Sequence, residues 1–237
     1  MSIYAAYTDI DIFNSEAAYM QGYNSTSDYR RKRIDECRIF KDKARSLAAG
    51  LLLDYMADRL VSENSAENRR EGSPVYISSR DLLAYVKDGL SPRECDDMEH
   101  GKPYFREYPD IHFSISHSED YVLVAMSEGN IGADVQLIKE RRVDIASRFF
   151  HHNEIQYLNC TDNEREGFFR IWTLKEAYIK YTGRGMSEGL NTFSVVDDNN
   201  EITGEIITGR DGIRHLSCIG GTLEDGYIYS IVSEEII

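Results

Sequence analysis

Three short stretches decide the fold class: Ile111-His112-Phe113-Ser114-Ile115, Tyr121-Val122-Leu123-Val124-Ala125-Met126-Ser127 and Ile131-Gly132-Ala133-Asp134-Val135-Gln136. Each is rich in β-branched or aromatic residues and is bounded by a polar turn, so the pattern predicts three successive strands. Towards the N-terminus, Ile34, Cys37, Leu47, Leu51, Met56 and Leu60 roughly keep a three-to-four spacing. That spacing predicts one helix from Asp28 to about Leu60, weakened but not forbidden by Gly50. Ile3–Ile10 reads as a buried strand, the polar stretch Ser62–Pro74 as a loop, and Ser79–Val86 as a short helix closed by Gly89 and Pro92. Towards the C-terminus, helical spacing returns at Val143–Phe150 and more strongly at Glu164–Tyr181. After Gly183 and Gly185, four strands are expected at Thr192–Val196, Glu201–Thr208, Arg214–Ile219 and Tyr227–Val232. This order predicts an α+β protein with helices packed on mostly antiparallel sheets. A division near residues 105–115 gives two parts of similar size, 1–110 and 111–237.

The chain carries 27 basic and 41 acidic residues, a formal net charge of −14. Sequence-independent nucleic-acid binding rests on many basic contacts to phosphate, so this balance argues against it. Leu47–Leu53 is the longest apolar run, far below the roughly 20 residues that cross a bilayer. The first residues, Met1-Ser2-Ile3-Tyr4, lack the basic-then-apolar order of a secretory signal. Cys37, Cys95, Cys160 and Cys218 are widely spaced, with no C-x-x-C pair. Reduced thiols in a cytoplasmic protein are the expectation.

Five segments carry possible chemistry. In Gly132-Ala133-Asp134-Val135-Gln136, residues two apart on a strand share a face, so Asp134 and Gln136 stand side by side. A carboxylate and an amide oxygen together suit a hard cation such as Mg²⁺; the plain alternative is an exposed aspartate at a strand end. In the helix Phe168–Lys180, Glu176 and Lys180 lie four apart on one face. One could ligate a metal while the other neutralises a phosphate, or the two could form an ordinary surface ion pair. Phe168, Phe169, Trp172 and Tyr178 read as core. Phe113-Ser114-Ile115-Ser116-His117-Ser118 alternates as a strand, and its Ser116 and His117 can donate to phosphate oxygens. His117 is also a conceivable general base, since imidazole titrates near neutrality. A Ser–His–Asp hydrolase is the weaker reading, because no G-x-S-x-G turn is present. In Gly101-Lys102-Pro103 the glycine permits close backbone approach, the lysine supplies a point charge and the proline fixes the exit of the turn. The run Arg30-Arg31-Lys32-Arg33, followed by Arg38, Lys41, Lys43 and Arg45, is a concentration of positive charge in an acidic chain. It can be solvated helix surface, a phosphate-binding entrance or a surface for an acidic partner.

Taken together and in this order, Gly-Lys-Pro, Phe-Ser-Ile-Ser-His-Ser, Ile-Gly-Ala-Asp-Val-Gln, Arg148-Phe149-Phe150 and Trp172-Thr173-Leu174-Lys175-Glu176-Ala177 with Lys180 resemble the phosphopantetheinyl transferase superfamily. Chain length, the N-terminal basic helix and Gly183-Arg184-Gly185-Met186-Ser187 resemble its monomeric Sfp type. The resemblance runs from about residue 3 to residue 232. It implies transfer of the 4′-phosphopantetheine arm of coenzyme A to a serine hydroxyl of an apo acyl, peptidyl or aryl carrier protein, releasing adenosine 3′,5′-bisphosphate. It also implies two similar subdomains related by a pseudo-twofold, with coenzyme A in the cleft between them.

The implied roles fall on particular positions. Asp134 and Glu176 would hold Mg²⁺, with Gln136 beside them. Lys180, Lys102, Ser116 and His117 would meet coenzyme A phosphates, with Gly101 and Pro103 shaping the turn. Arg30, Arg33 and Arg45 fall where the family has basic coenzyme A contacts. Glu176 is the expected base for the attacking serine and His117 its alternative. The Sfp pattern usually has an acidic residue where this chain has Gln136, which removes one negative charge from the metal site. Two other functions compete: a metal-dependent hydrolase of the coenzyme A pyrophosphate, and a carrier-binding module without catalysis. A cytoplasmic monomer, free of membrane and nucleic acid, is the expected setting.

Overall fold

The computed structural model describes residues 2–61, 73–87, 89, 92–140, 144–185, 189–208 and 212–234. Its contacts divide the chain into two compact units, Met1–Glu128 and Gly129–Ile237. The sequence placed the boundary at 110 and 111. The contacts place it later because the strands after residue 111 hydrogen-bond into the first unit's sheet.

The first unit begins with β1 (Tyr4–Asp9), then α1 (Glu16–Asn24), α2 (Asp28–Glu36) and α3 (Phe40–Val61). It continues through β2 (Val75–Tyr76), α4 (Ser79–Lys87), β3 (Cys95–Asp97), β4 (Pro103–Phe105), β5 (His112–Ser118) and β6 (Tyr121–Ser127). The sheet runs β2-β1-β6-β5, and β3 and β4 form a separate hairpin. β2 pairs parallel to β1; the other pairs are antiparallel. Phe13, Ile34, Leu47, Leu51, Val122 and Val124 fill the core between helices and sheet.

The single helix expected from Asp28 to Leu60 is two. Cys37 adopts an extended backbone (φ −71°, ψ 133°) and ends α2. This break lets α2 fold back on α3, burying Ile34 completely. Gly50 then has a packing role. A Cβ there would lie 2.7 Å from Arg30 Cγ, so glycine makes room for the arginine stem.

The second unit comprises β7 (Ile131–Leu137), α5 (Asp144–Phe149), α6 (His152–Cys160), α7 (Glu164–Thr182), β8 (Phe193–Val196), β9 (Ile202–Thr208), β10 (Gly212–Thr222) and β11 (Tyr227–Glu234). Its sheet, ordered β7-β11-β10-β9-β8, is antiparallel throughout. Asn163 caps α7 by accepting from the Glu166 amide, and Gly183 ends it in the left-handed region (φ 68°). Tyr178, Ile171 and Phe193 are almost completely buried, and Phe168 nearly so. Phe169 and Trp172 pack against this core, as expected of the aromatics.

The two units share a chain order. Each opens with a strand, proceeds to a long helix, and closes with a strand antiparallel to the first: β1 with β6, β7 with β11. The α+β class with antiparallel sheets is therefore as the sequence implied. The four cysteines are free thiols, and no described helix is long and apolar enough to cross a membrane. The expected loop falls, through residue 72, outside the described residues, as does Val143.

β7 and α7 meet closely at Gly132. A Cβ there would stand 1.9 Å from the Ala177 carbonyl oxygen and 2.3 Å from the Tyr181 nitrogen. Both obstacles are backbone, so strand and helix would have to part. Gly132→Ala is expected to cost about 1–3 kcal/mol or more, read as a lower urea midpoint with an unchanged slope.

Candidate active site

The close approach at Gly132 brings three charged groups of the second unit together. Asp134 lies two residues along β7, on the face turned to α7, and only 3% of its side chain is exposed. Lys180, from the last turn of α7, sets its Nζ 2.7 Å from Asp134 Oδ1 and donates to the Ala133 carbonyl at 3.1 Å. The lysine therefore reaches across to the strand, in place of the surface Glu176–Lys180 pair. Gln136 shares the Asp134 face, as period-two alternation requires, and its Nε2 donates to Asp134 Oδ2 at 3.1 Å. Glu176 is half-buried one turn before Lys180. Burial pushes its carboxyl above the ordinary range, the Asp134 charge adds to this, and the Lys180 ammonium opposes it.

These donors fit a hard cation. Asp134 and Glu176 offer carboxylate oxygens, and Gln136 would offer its carbonyl after a half-turn of the amide. Among the described residues no cluster of three or more His, Cys, Asp or Glu side chains forms a metal cage. Two carboxylates with room for water and substrate phosphate is the arrangement Mg²⁺ ordinarily takes. On the neighbouring strand, Ser230 pairs in register with Asp134, and its hydroxyl lies 2.8 Å from that of Thr173. Beside them Arg170, Leu174, Gly220 and Ile228 line a groove of about 280 Å³.

Lys175, to which the sequence pattern assigns no role, points away from this cluster. It is fully buried, with Nζ 2.5 Å from Glu154 Oε1 and 2.7 Å from the Phe193 carbonyl oxygen. Glu154 also accepts from the Val195 amide at 2.9 Å and the His151 amide at 2.8 Å. One ion pair thus ties α6, α7 and β8 together. Its sequence signal was a capping box, obscured because the cap is His151 and not a serine or threonine.

The first unit holds the remaining candidates. Glu94 caps α2, its carboxylate accepting from the Asp28 amide at 3.0 Å and the Tyr29 amide at 3.3 Å. Asp97 accepts from Arg33 Nη2 and from the Tyr29 hydroxyl, both at 2.7 Å. These bonds fasten the β3–β4 hairpin to α2, so Lys102 shares one frame with Arg30 and Arg33. Gly101 takes φ +79° in the hairpin turn, and nothing stands near its missing Cβ. A positive φ favours glycine at this position. Pro103 opens β4 directly after the turn. Burial draws the Lys102 ammonium down to about 8.

Arg45 joins α3 to the turn after β5. Its Nε donates to the Glu119 carbonyl at 2.6 Å and its Nη1 to Asp42 at 2.8 Å. Lys41 reaches both Glu119 and Asp120 at 2.9 Å. Together they clamp the turn after Ser116-His117-Ser118, where Glu119 has φ 45°. Ser116 is buried and His117 exposed, so these neighbours face opposite sides of β5. Arg30 differs from the other arginines. It is 8% exposed, and among the described residues its guanidinium takes no hydrogen bond or ion pair. Its Cζ lies 6.0 Å from the Tyr29 ring centre. A buried cation with no anion bonded to it is costly, and a bound anion would relieve that cost. Met186 and Ser187 lie outside the described residues.

Comparison with known proteins covers both units. The profile of the 4′-phosphopantetheinyl transferase superfamily matches residues 130–232, which include Asp134, Gln136, Glu176 and Lys180. A 4′-phosphopantetheinyl transferase of Bacillus subtilis is 37% identical over 170 residues, 65% of this chain and 76% of the relative. The transferase ffp of Bacillus subtilis is 29% identical over 197 residues, 82% of this chain and 76% of the relative. Sfp of Bacillus subtilis strain 168 is 39% identical over 100 residues, 41% of this chain and 45% of the relative. With the lysine and two carboxylates gathered at the β7–α7 contact, these similarities show that the chain belongs to the 4′-phosphopantetheinyl transferase superfamily and has that transferase activity.

Proposed function

We propose that this chain transfers the phosphopantetheine arm of coenzyme A to a serine hydroxyl of an apo acyl, peptidyl or aryl carrier protein, with Mg²⁺ held by Asp134, Glu176 and Gln136. The observation that carries the reading is the convergence of Lys180 and Glu176 on buried Asp134. When bound, Mg²⁺ supplies positive charge to the pyrophosphate as it breaks. Lys180 adds a second positive charge for the departing phosphate. Glu176, whose carboxyl holds a proton more readily than a surface carboxylate, takes the proton from the carrier serine. A second assignment gives that proton to His117. Arg30, Arg33 and Lys102 bind coenzyme A phosphates from the first unit, Ser116 assists them, and Arg45 holds the turn beside it. The groove along Arg170, Leu174 and Ile228 offers room for the uncharged arm. The chain acts as a cytoplasmic monomer.

Intact mass spectrometry of an apo carrier incubated with the protein, coenzyme A and Mg²⁺ tests the reading. A gain of one phosphopantetheine is expected. No gain on several carrier types, with coenzyme A intact, would favour the non-catalytic binder. Coenzyme A loss without carrier modification would point to the hydrolase.

Two further outcomes are expected. Gln136→Glu restores a negative charge beside Asp134, so half-maximal activity should come at severalfold lower Mg²⁺; an unchanged requirement would remove Gln136 from the metal site. Lys102 loses its charge as pH rises through about 8. The KM for coenzyme A should then rise above that pH, approaching tenfold for a lost charge-assisted contact of about 1.5 kcal/mol. Lys102→Arg keeps its charge, so its KM should stay flat over the same range.

A further inference from the structure

Arg30 rests on Gly50 of α3, and Asp54 follows one helical turn later on the same helix. Asp54 is 4% exposed. Its Oδ1 accepts from the Arg93 backbone amide at 2.9 Å. The charged and titratable groups around it are Arg30 from α2, Arg93 from the segment before β3, Asp58 from its own helix, and the buried Cys95 thiol of β3. Arg30 is in turn within electrostatic range of Tyr29, Arg33, Cys95 and Asp54. The arrangement is one buried guanidinium with one buried carboxylate nearby but not bonded to it. We infer that Asp54 is the resident counter-charge of Arg30, and that it takes up a proton from solvent when a substrate phosphate meets that guanidinium.

The physical reason is that two anions would otherwise share one cation in a site with little water. Protonating the carboxylate removes the repulsion and leaves the guanidinium to the phosphate. Burial already lifts Asp54 to about 7, so a small push suffices near neutral pH. No bond other than the carboxyl O–H forms, and the proton comes from the buffer. Asp54 is thus a positioning residue: it acts on substrate through Arg30. The inference rests on the reading that Arg30 receives a coenzyme A phosphate.

The test is calorimetric titration of the full chain with coenzyme A, just above neutral pH, in two buffers of different ionisation enthalpy. Wild type should take up a substantial fraction of a proton per coenzyme A relative to Asp54→Asn. The variant should also bind severalfold more tightly at this pH, because no ionised carboxylate competes. Protons released by the phosphate itself cancel in that difference. Equal proton uptake by the two proteins would overturn the role of Asp54 while leaving the transferase reading intact. Failure of wild type to bind coenzyme A would overturn that reading. Should Asp54→Asn not fold, the Asp54 carboxyl carbon of labelled wild type can be followed by NMR. Coenzyme A should move it towards its protonated position; no movement, or the opposite one, would refute the inference.

Discussion

Glu176→Ala is expected to slow carrier modification by roughly 10²–10³-fold, the usual loss when one preorganised charge is removed from a reacting centre. The protein should fold as before. Glu176 is half-buried and held above the ordinary carboxylate range, so its charge is a burden to the folded state, not a support. The melting temperature should therefore stay level or rise. Glu176→Gln sharpens the result, because it keeps the shape and one carbonyl oxygen but removes both the charge and the basicity. Comparable loss in both variants would place the role in charge. Near-normal turnover in Glu176→Gln would remove Glu176 from both metal binding and proton transfer.

The largest expected effect on stability lies at the neighbouring residue. Lys175→Met would strand Glu154, which is fully buried and has that ammonium 2.5 Å away. Burial already raises the Glu154 carboxyl and lowers the Lys175 ammonium to about 8, and each partner's charge holds the other back. Breaking such a pair costs about 3–5 kcal/mol, a large share of the ~5–15 kcal/mol that holds an ordinary domain folded. A urea titration should show the midpoint falling accordingly. Adding Glu154→Gln should recover much of the loss, since the amide needs no cation. A double variant as unstable as the single one would show that the lysine acts through packing alone.

Adjacent residues of one helix thus carry the two strongest predictions, and the sequence disclosed them unequally. Glu176, Lys180 and Asp134 were legible because their relations are local: four residues on a helix, two on a strand. Lys175 lies in the same motif, but its partner Glu154 arrives from another helix. Arg30 was visible as charge, yet its seat at Gly50 depends on the chain turning at Cys37, where no glycine or proline marks a break. The capping of α2 by Glu94 depends on the same long-range folding. Among the elements, the strands β5 to β7 and the helix α7 followed their periodicities. The hairpin strands β3 and β4 have three residues each, too few for alternation to register. α1, with Ala18 and Gly22 as its buried residues, presents no apolar stripe to recognise.

The buried Lys175–Glu154 pair also bears on which structures the chain refuses. Net attraction within such a pair is small, because both charges had to leave water. Discrimination is another matter. Slipping α7 by one residue rotates each side chain by about 100°. One slip would press Leu174 against the Glu154 carboxylate, and the opposite slip would press Glu176 against it, carboxylate on carboxylate. Neither arrangement satisfies Glu154 in a dry interior. The pair therefore works as a register key: it admits the one seating of α7 in which Glu176 turns towards Asp134, and rejects neighbouring seatings that an apolar core would tolerate.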